Sequence, residues 1–249
     1  MKNLVYLFSI LFFAGCSSEK IADCFKSSGA IVQREVGVSP FTKILVWDRT
    51  KLFIQQGQEQ KVVVESGKNL IENVKVSVVD GQLEIHNNNS CNLARDYGIT
   101  KIYVTAPNIT AIRSSTGYLI ESIGTLHYPE LALLSEDANS GGVYHTDGDF
   151  KLDLNVETLN VVANGLSKFY LSGNATTASF GLYAGDCRIY SEDLIVQDLE
   201  IYHRSSGPMV VNPQQSIKGK IVSLGDVISK NRPPVVEVEA LYRGRLIFD

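Results

Sequence analysis

The side chains that could carry acid-base or metal chemistry are few in this chain. The four histidines are His86, His127, His145 and His203, and none of them forms a His-x-x-x-His or His-Glu-x-x-His pattern. Two such histidines on one helical face are what a zinc hydrolase needs, so the sequence disfavours that class of enzyme. We therefore predict no metal site and no bound cofactor.

One histidine has acidic neighbours, in the segment Tyr144–Asp149, where His145 is followed by Asp147 and Asp149. Two interpretations are open: a metal-binding site or acid-base pair, and a polar turn with solvated carboxylates. Asp-Gly pairs are ordinary turn chemistry, which favours the turn. The segment also lacks the ligand spacing and terminal glutamate of an EF-hand loop.

Three acidic residues close together, Asp186, Glu192 and Asp193, raise the alternative of a polysaccharide lyase or glycosidase on a β-helix scaffold. Glycoside hydrolysis needs two carboxyl groups about 5–9 Å apart, and sequence spacing does not establish such a distance. No cluster of arginine and lysine accompanies them, and no nucleophile elbow or phosphate-binding loop is present. We therefore predict a protein that is not an enzyme.

Tyrosine is the more informative residue type, with eleven tyrosines against one tryptophan. Tyr170 and Tyr190 each follow a glycine at the same short spacing, after Gly165 and Gly185 respectively. Stacked on neighbouring strands, they would offer ring faces and polar tips to a glycan or a surface protein. The alternative is a pair that only stabilises adjacent strands. We treat Tyr170 and Tyr190 as the candidate ligand surface.

The elements that must position these residues repeat along the second half of the chain. Glycines recur there with a period of about 20 residues, each between short apolar segments. Those glycines are Gly117, Gly142, Gly165, Gly185, Gly207 and Gly225. Such a period is typical of the coils of a β-solenoid, which bury their inward side chains by stacking about 4.8 Å apart. An antiparallel β-sandwich is the alternative.

The first part of the chain alternates apolar and polar residues with a period of two, which is typical of half-buried strands. Asp80-Gly81 lies between two such segments and predicts a tight hairpin. We therefore predict an all-β fold, a right-handed β-solenoid or β-helix-like stack of short strands. Antiparallel hairpins over about 31–105 precede the glycine-punctuated coils over about 107–249.

The N-terminus predicts a lipoprotein. A positive Lys2 and the short apolar segment Leu4–Phe13 form a signal peptide that is too short to span a bilayer. Small residues then precede Cys16, as in a bacterial lipobox, although Phe13 stands where leucine is usual. We predict a signal peptide over 1–15, lipid attachment at Cys16, a polar tether over 16–22 and one β domain over 23–249. The membrane, through this acyl anchor, is the predicted partner.

Three further cysteines follow the lipobox, so at most one intramolecular disulfide can form among them. Cys24 and Cys91 lie in polar, loop-like segments, whereas Cys187 lies in an alternating apolar segment. We predict a Cys24–Cys91 disulfide and a free, buried Cys187. No two cysteines have the Cys-x-x-Cys spacing of a structural zinc site.

Composition excludes other classes of protein. The 249 residues include 23 lysines and arginines against 27 acidic residues, with 44% hydrophobic residues. A chain of this composition forms a folded core and is neither disordered nor collagen-like. A net charge of −4 without a long basic segment argues against a nucleic-acid partner.

The order of several segments resembles the putative auto-transporter adhesin, head GIN domain family of Bacteroidetes lipoproteins. The segments are Asp23–Gly29, Phe41–Ile44, Leu52–Gly57, Asp80–Ile85, Cys91–Tyr97 and Ile102–Pro107. Leu93 departs from the pattern, which has tryptophan there. The resemblance covers about residues 23–249 and implies a lipid-anchored, β-rich envelope protein with an adhesive role. It brings no catalytic residues. We predict an outer-membrane lipoprotein that faces the periplasm or the surface.

Overall fold

A computed structural model describes residues 26–89, 96–137 and 141–249. The predictions for the signal peptide, the tether, Cys16, Cys24 and Cys91 lie outside these residues. In the described part, seventeen strands and one short 3-10 turn at Ile71–Asn73 form an all-β fold. The strands are β1 (Ile31–Val36), β2 (Lys43–Trp47), β3 (Lys51–Gln56), β4 (Lys61–Gly67), β5 (Val74–Val79), β6 (Gln82–Asn87), β7 (Lys101–Ala106), β8 (Ala111–Ser115), β9 (Ile120–Leu126), β10 (Glu130–Ser135), β11 (Phe150–Ala163), β12 (Lys168–Leu182), β13 (Arg188–His203), β14 (Met209–Ile221), β15 (Val227–Ser229), β16 (Val235–Ala240) and β17 (Leu246–Phe248). No helix in this part of the chain could span a membrane.

The long strands of the second half pair in parallel with the next strand along the chain. Phe150 on β11 lies opposite Phe169 on β12, Phe169 opposite Ile189 on β13, and Ile189 opposite Met209 on β14. The spacing of these partners along the chain is nearly constant, so each step of the stack adds one repeat of the sequence. This parallel pairing differs from the antiparallel β-sandwich that the sequence left open.

Each long strand contributes to two hydrogen-bonded runs of strands. The N-terminal part of β11 pairs with β9, and its C-terminal part pairs with β10. Run 1 contains β1, β4, β7, β3, β9, the N-terminal parts of β11 to β14, β15 and β17. Run 2 contains β5, β6, β2, β8, β10, the C-terminal parts of β11 to β14, and β16.

The first part of the chain joins the same two runs, and this corrects the expectation of antiparallel hairpins throughout it. Strands β2 and β3 pair in parallel with β6 and β7. The described antiparallel pairs are β1–β4, β4–β7 and β5–β6. The hairpin at Asp80-Gly81 is confirmed: both residues have positive φ angles, 49° and 73°, and Val79 lies opposite Gln82.

Alternating side chains of both runs point into one hydrophobic core. The aligned residues Phe150, Phe169, Ile189 and Met209 are all fully buried, and the rings of Phe150 and Phe169 stack with centroids 4.9 Å apart. Period-two alternation thus gives most of the described strands one buried face, although the outer strands β1, β16 and β17 have no fully buried residue. Parallel stacking makes the buried faces continuous from strand to strand.

Glycines line the corner at which run 2 returns to run 1. A Cβ placed on Gly185 would lie 2.1 Å from the carbonyl oxygen of Gly165, and one on Gly225 would lie 2.1 Å from that of Gly207. Gly244 continues this glycine column against Gly225, at 2.2 Å. A side chain at these positions would meet the backbone of the preceding turn, so the corner requires glycine.

The repeat glycine expected at Gly142 is not part of this column. A Cβ on Gly142 would have no atom within 4 Å, whereas one on Gly148 would lie 2.0 Å from the carbonyl oxygen of Thr116. The residue against Gly165 is instead Thr146, whose carbonyl oxygen would lie 2.2 Å from a Cβ on Gly165. The segment between β10 and β11 is longer than the other corners, which shifts the count.

Candidate functional site

Tyr170 and Tyr190 form a stacked pair on the outer side of run 1. The parallel register places them directly opposite each other on β12 and β13. Their ring centroids are 5.2 Å apart with an interplanar angle of 15°, and Tyr170 is 40% exposed. The stacking expected from the sequence is therefore present, with ring surface facing solvent. Its role in binding stays a prediction.

A groove of about 290 Å³ lies beside this tyrosine pair and is lined by charged side chains of β9, β11 and β13. They are Glu121, Lys151, Asp153, Glu192 and Asp193. Lys151 forms an ion pair with Glu121 at 3.3 Å. Carboxylates outnumber the single ammonium group in this lining, so the groove offers mostly hydrogen-bond acceptors.

Run 1 holds the Asp153 carboxylate in place from β9. The Thr125 hydroxyl donates to Asp153 Oδ2 at 3.0 Å, and the Asp153 backbone N–H donates to Ser122 Oγ at 2.9 Å. Aromatic faces next to fixed acceptor oxygens suit a ligand rich in hydroxyl or ammonium groups, which can donate to the carboxylates while apolar faces lie on the rings.

The acidic residues singled out from the sequence separate in the structure. Glu192 and Asp193 lie in the groove, whereas Asp186 lies at the corner, where Arg188 pairs with it at 2.6 Å. The hydrogen bond from Arg188 lowers the pKa of the Asp186 carboxyl. Hydrogen bonds with the Tyr190 phenol and with Asp186 in turn raise the pKa of Arg188. Asp186 is thus held ionised in an ion pair.

The His145 segment forms a separate corner cavity of about 290 Å³, which also contains Asp48 and Asp147. His145 Nε2 lies 3.5 Å from the Asp48 carboxylate. Asp149 faces elsewhere and accepts the backbone N–H of Lys168 at 2.8 Å. Within residues 26–89, 96–137 and 141–249, no group of three or more His, Cys, Asp or Glu side chains is arranged to hold a metal ion.

Several aromatic stacks were not anticipated from the sequence. Tyr183 stacks on Tyr202 with centroids 5.1 Å apart. These two tyrosines lie one strand repeat apart in the sequence, so the repeat contained a usable signal. Trp47 stacks between His86 and Tyr144, at 5.5 and 5.1 Å. The sequence carries no comparable signal for Trp47, because its two partners lie far away along the chain.

Cys187 is a free, fully buried thiol in the glycine corner. The Gly165 N–H donates to its Sγ at 3.0 Å. Burial raises the pKa of this thiol to about 11, so it stays protonated at neutral pH. Cys187 therefore acts as a small core residue rather than as a nucleophile.

Solved structures of bacterial proteins have a similar fold. A putative adhesin from Bacteroides fragilis NCTC 9343 shares 18% identity, with 90% of this chain and all of that chain covered and a TM-score of 0.79. A putative lipid binding protein from Parabacteroides distasonis ATCC 8503 shares 16% identity over 89% of this chain and all of that chain, with a TM-score of 0.60. A putative adhesin from Parabacteroides merdae ATCC 43184 shares 15% identity over 90% of this chain and 99% of that chain, also with a TM-score of 0.60. No curated protein matches the sequence.

The family model described as "Putative auto-transporter adhesin, head GIN domain" matches residues 40–233. This span contains the strands from β2 to β15, the tyrosine pair and most of the glycine column. It covers more than half of the chain, and it agrees with the resemblance carried by the segments from Phe41–Ile44 to Ile102–Pro107. The chain belongs to the putative auto-transporter adhesin, head GIN domain family.

Proposed function

We propose that this protein is an adhesin-like, non-enzymatic binding module of the bacterial cell envelope, which presents the Tyr170–Tyr190 face to a glycan or a surface protein. The observation that carries this proposal is the exposed stacked tyrosine pair beside a groove with excess carboxylate. Strands fix both rings at one register, so a ligand meets a pre-organised surface and little side-chain entropy is lost on binding. Membership of a family described as adhesins supports the same function.

The scaffold in this proposal is a right-handed β-solenoid. The parallel register, which advances by a nearly constant interval at each long strand, supports stacked coils. Right-handed connection is the general rule for parallel strands of one sheet. Such a scaffold gives an extended surface that changes little on ligand binding.

The module is anchored through an acylated Cys16, with a tether over 16–22 and a Cys24–Cys91 disulfide at the start of the domain. Each buried lipid CH₂ contributes about 0.8 kcal/mol, so several chains make release negligible. We expect the wild-type protein to sediment with outer membranes and a Cys16→Ala variant to be soluble in the same fractionation. Protease treatment of intact cells then shows which side the domain faces. A Cys16→Ala variant that still sediments would contradict the anchor.

The ligand face is tested with the purified protein on a surface array of neutral and acidic oligosaccharides and mucin glycoprotein. Tyr170→Ala/Tyr190→Ala is expected to lower capture by the best probe about thirty-fold, because two stacked ring faces worth about 1 kcal/mol each are lost. The matched control is Tyr183→Ala/Tyr202→Ala, which removes another stacked pair and should leave capture unchanged.

The result also separates the alternatives. Unchanged capture by the Tyr170→Ala/Tyr190→Ala variant, with the fold retained by circular dichroism, would contradict the tyrosine face. Release of reducing ends or unsaturated sugars from the array would favour a carbohydrate-active enzyme. Absence of any capture by wild type would favour a structural envelope protein.

A further inference from the structure

A second and larger groove lies on run 2, away from the tyrosine face. Its volume is about 840 Å³, and it crosses the C-terminal parts of β11, β12, β13 and β14. The first row of its lining is Thr158, Thr177, Asp198 and Ser216, which the parallel register places side by side. Neither the family resemblance nor the tyrosine pair assigns a role to this surface.

The residues two positions further along each strand form the second row: Asn160, Ser179, Glu200 and Lys218. Between the rows, the backbone passes through the buried core residues Leu159, Ala178 and Leu199. The side chains of these three residues point into the core, so the groove has rows of polar side chains on both sides and strand backbone between them. Such polar rows suit a sugar chain, whose hydroxyl groups both donate and accept hydrogen bonds.

Contacts within the first row hold its polar groups in place. The Thr177 hydroxyl lies 3.2 Å from that of Thr158, and the Ser216 hydroxyl donates to Asp198 Oδ1 at 2.6 Å. Each hydroxyl can both donate and accept, so these contacts leave capacity for a ligand. A partly pre-ordered row of hydroxyls lowers the entropy that binding would otherwise cost.

The repeat of the groove matches a polymer rather than a single small molecule. Neighbouring strands lie about 4.8 Å apart, so the four strands present two rows of polar side chains over about 14 Å. A linear polysaccharide that runs across the strands meets one side chain of each row at every strand: hydroxyls and an amide on β11 and β12, carboxylates on β13, and a hydroxyl and an ammonium group on β14. An extended peptide would instead need free backbone groups, and these strands are already paired on both sides.

Charge selects among polysaccharides. The groove contains the carboxylates of Asp198 and Glu200 against the single ammonium group of Lys218, and that ammonium group is paired with Glu237 at 3.2 Å. The uncompensated charge is therefore negative. It attracts an amino sugar and repels a polyuronate, by an amount that added salt reduces.

We propose that this run 2 groove binds a linear polysaccharide that contains amino sugars, along an axis perpendicular to the strands. The site is separate from the tyrosine face, so either of the two binding proposals can be wrong while the other is right. Its ligand class is set by the two polar rows and the excess of carboxylate.

The probe is a six-unit chitosan oligosaccharide, with the N-acetylated oligomer and a six-unit polyuronate as comparisons, titrated by calorimetry into the full-length protein. We expect binding to decrease from chitosan to the N-acetylated oligomer, with none for the polyuronate. Ser179→Trp, which fills the second row, should weaken chitosan binding about ten-fold or more. Asn174→Trp is the matched control, because Asn174 is exposed on the same strand but does not line the groove.

Glu200→Gln tests the charge argument separately. It should weaken chitosan binding several-fold at low salt and leave the N-acetylated oligomer unaffected. Equal loss from Ser179→Trp and Asn174→Trp, preference for the polyuronate, or no binding of any oligomer would each overturn the proposal. Tyr170→Ala/Tyr190→Ala should retain chitosan binding, which distinguishes failure of this groove from failure of the tyrosine face.

Discussion

Gly185→Ala is expected to lower the free energy of unfolding by about 3 kcal/mol or more. Gly185 has a φ of +78°, and a Cβ there would lie 2.1 Å from the carbonyl oxygen of Gly165. The left-handed backbone alone costs a residue with a Cβ about 1–2 kcal/mol. Displacing a closely packed backbone adds about 1–3 kcal/mol. Because Asp186 N–H donates to that same Gly165 oxygen, the shift also strains a hydrogen bond between successive turns.

Gly124→Ala separates the two contributions. Gly124 has nearly the same φ, +74°, but a Cβ there would have no atom within 4 Å. This variant should lose only the backbone cost, about 1–2 kcal/mol. Urea unfolding of the three proteins, followed by the fluorescence of the single tryptophan, Trp47, measures the difference. If Gly185→Ala costs no more than Gly124→Ala, the close approach at the corner does not govern stability.

The glycine column shows how much of the fold the sequence determines. The spacing of Gly165, Gly185, Gly207 and Gly225 predicted stacked units, because a corner packed against backbone leaves no room for a Cβ. The assignment of Gly142 as a repeat glycine was wrong, because spacing along the sequence does not reveal that the segment before β11 contains extra residues. The stacked pair Tyr170–Tyr190 followed from the same periodicity, once both were counted from their glycines.

Which strands pair with each other in the first part of the chain was less predictable from the sequence. Alternation identified residues such as Ile44, Leu52 and Ile85 as buried strand residues, which they are. It did not indicate that β2 pairs with β6 and β8 rather than with the next strand. The Asp80-Gly81 turn does fix a partner locally, because it joins the paired strands β5 and β6. Pairing between distant strands depends on how whole apolar faces fit together, and short-range patterns do not encode that fit.

The grooves were not predictable for the same reason. Each is lined by outward-facing residues that lie one strand repeat apart in the sequence, so its chemistry exists only after the register is set. Thr158, Thr177 and Asp198 are ordinary exposed strand residues in the sequence, and their alignment makes them one row. The carboxylates Glu192 and Asp193 were correctly grouped, whereas Asp186 forms an ion pair at the corner.

Acidification from pH 7 to pH 5 is expected to destabilise the fold by about 2 kcal/mol through His203. The imidazole is fully buried, and neither ring nitrogen has a hydrogen-bond partner. Burial lowers the pKa of His203 to about 4, against 6.5 when exposed, while the backbone at Gly207 and Gly225 and the Asp226 carboxylate act in the opposite direction. Between these two pKa values the unfolded chain binds a proton that the folded protein does not, so stability is complete above pH 6.5 and falls as the pH falls toward 4.

His203→Leu removes this titration and keeps a buried side chain of similar size at the end of β13. The loss of the imidazole shifts overall stability, so the informative quantity is the slope of unfolding free energy against pH for each protein. Carboxyl groups whose pKa is lowered by folding, such as that of Glu65, contribute stability that is lost only when the pH falls below their usual pKa of 4.5. The slope between pH 7 and pH 5 therefore reports His203. Urea unfolding at half-unit pH steps should give a steep slope for wild type and a nearly flat one for His203→Leu. Equal slopes would mean that the imidazole is hydrated or protonated in the folded state, and the corner that encloses it would then be open to water.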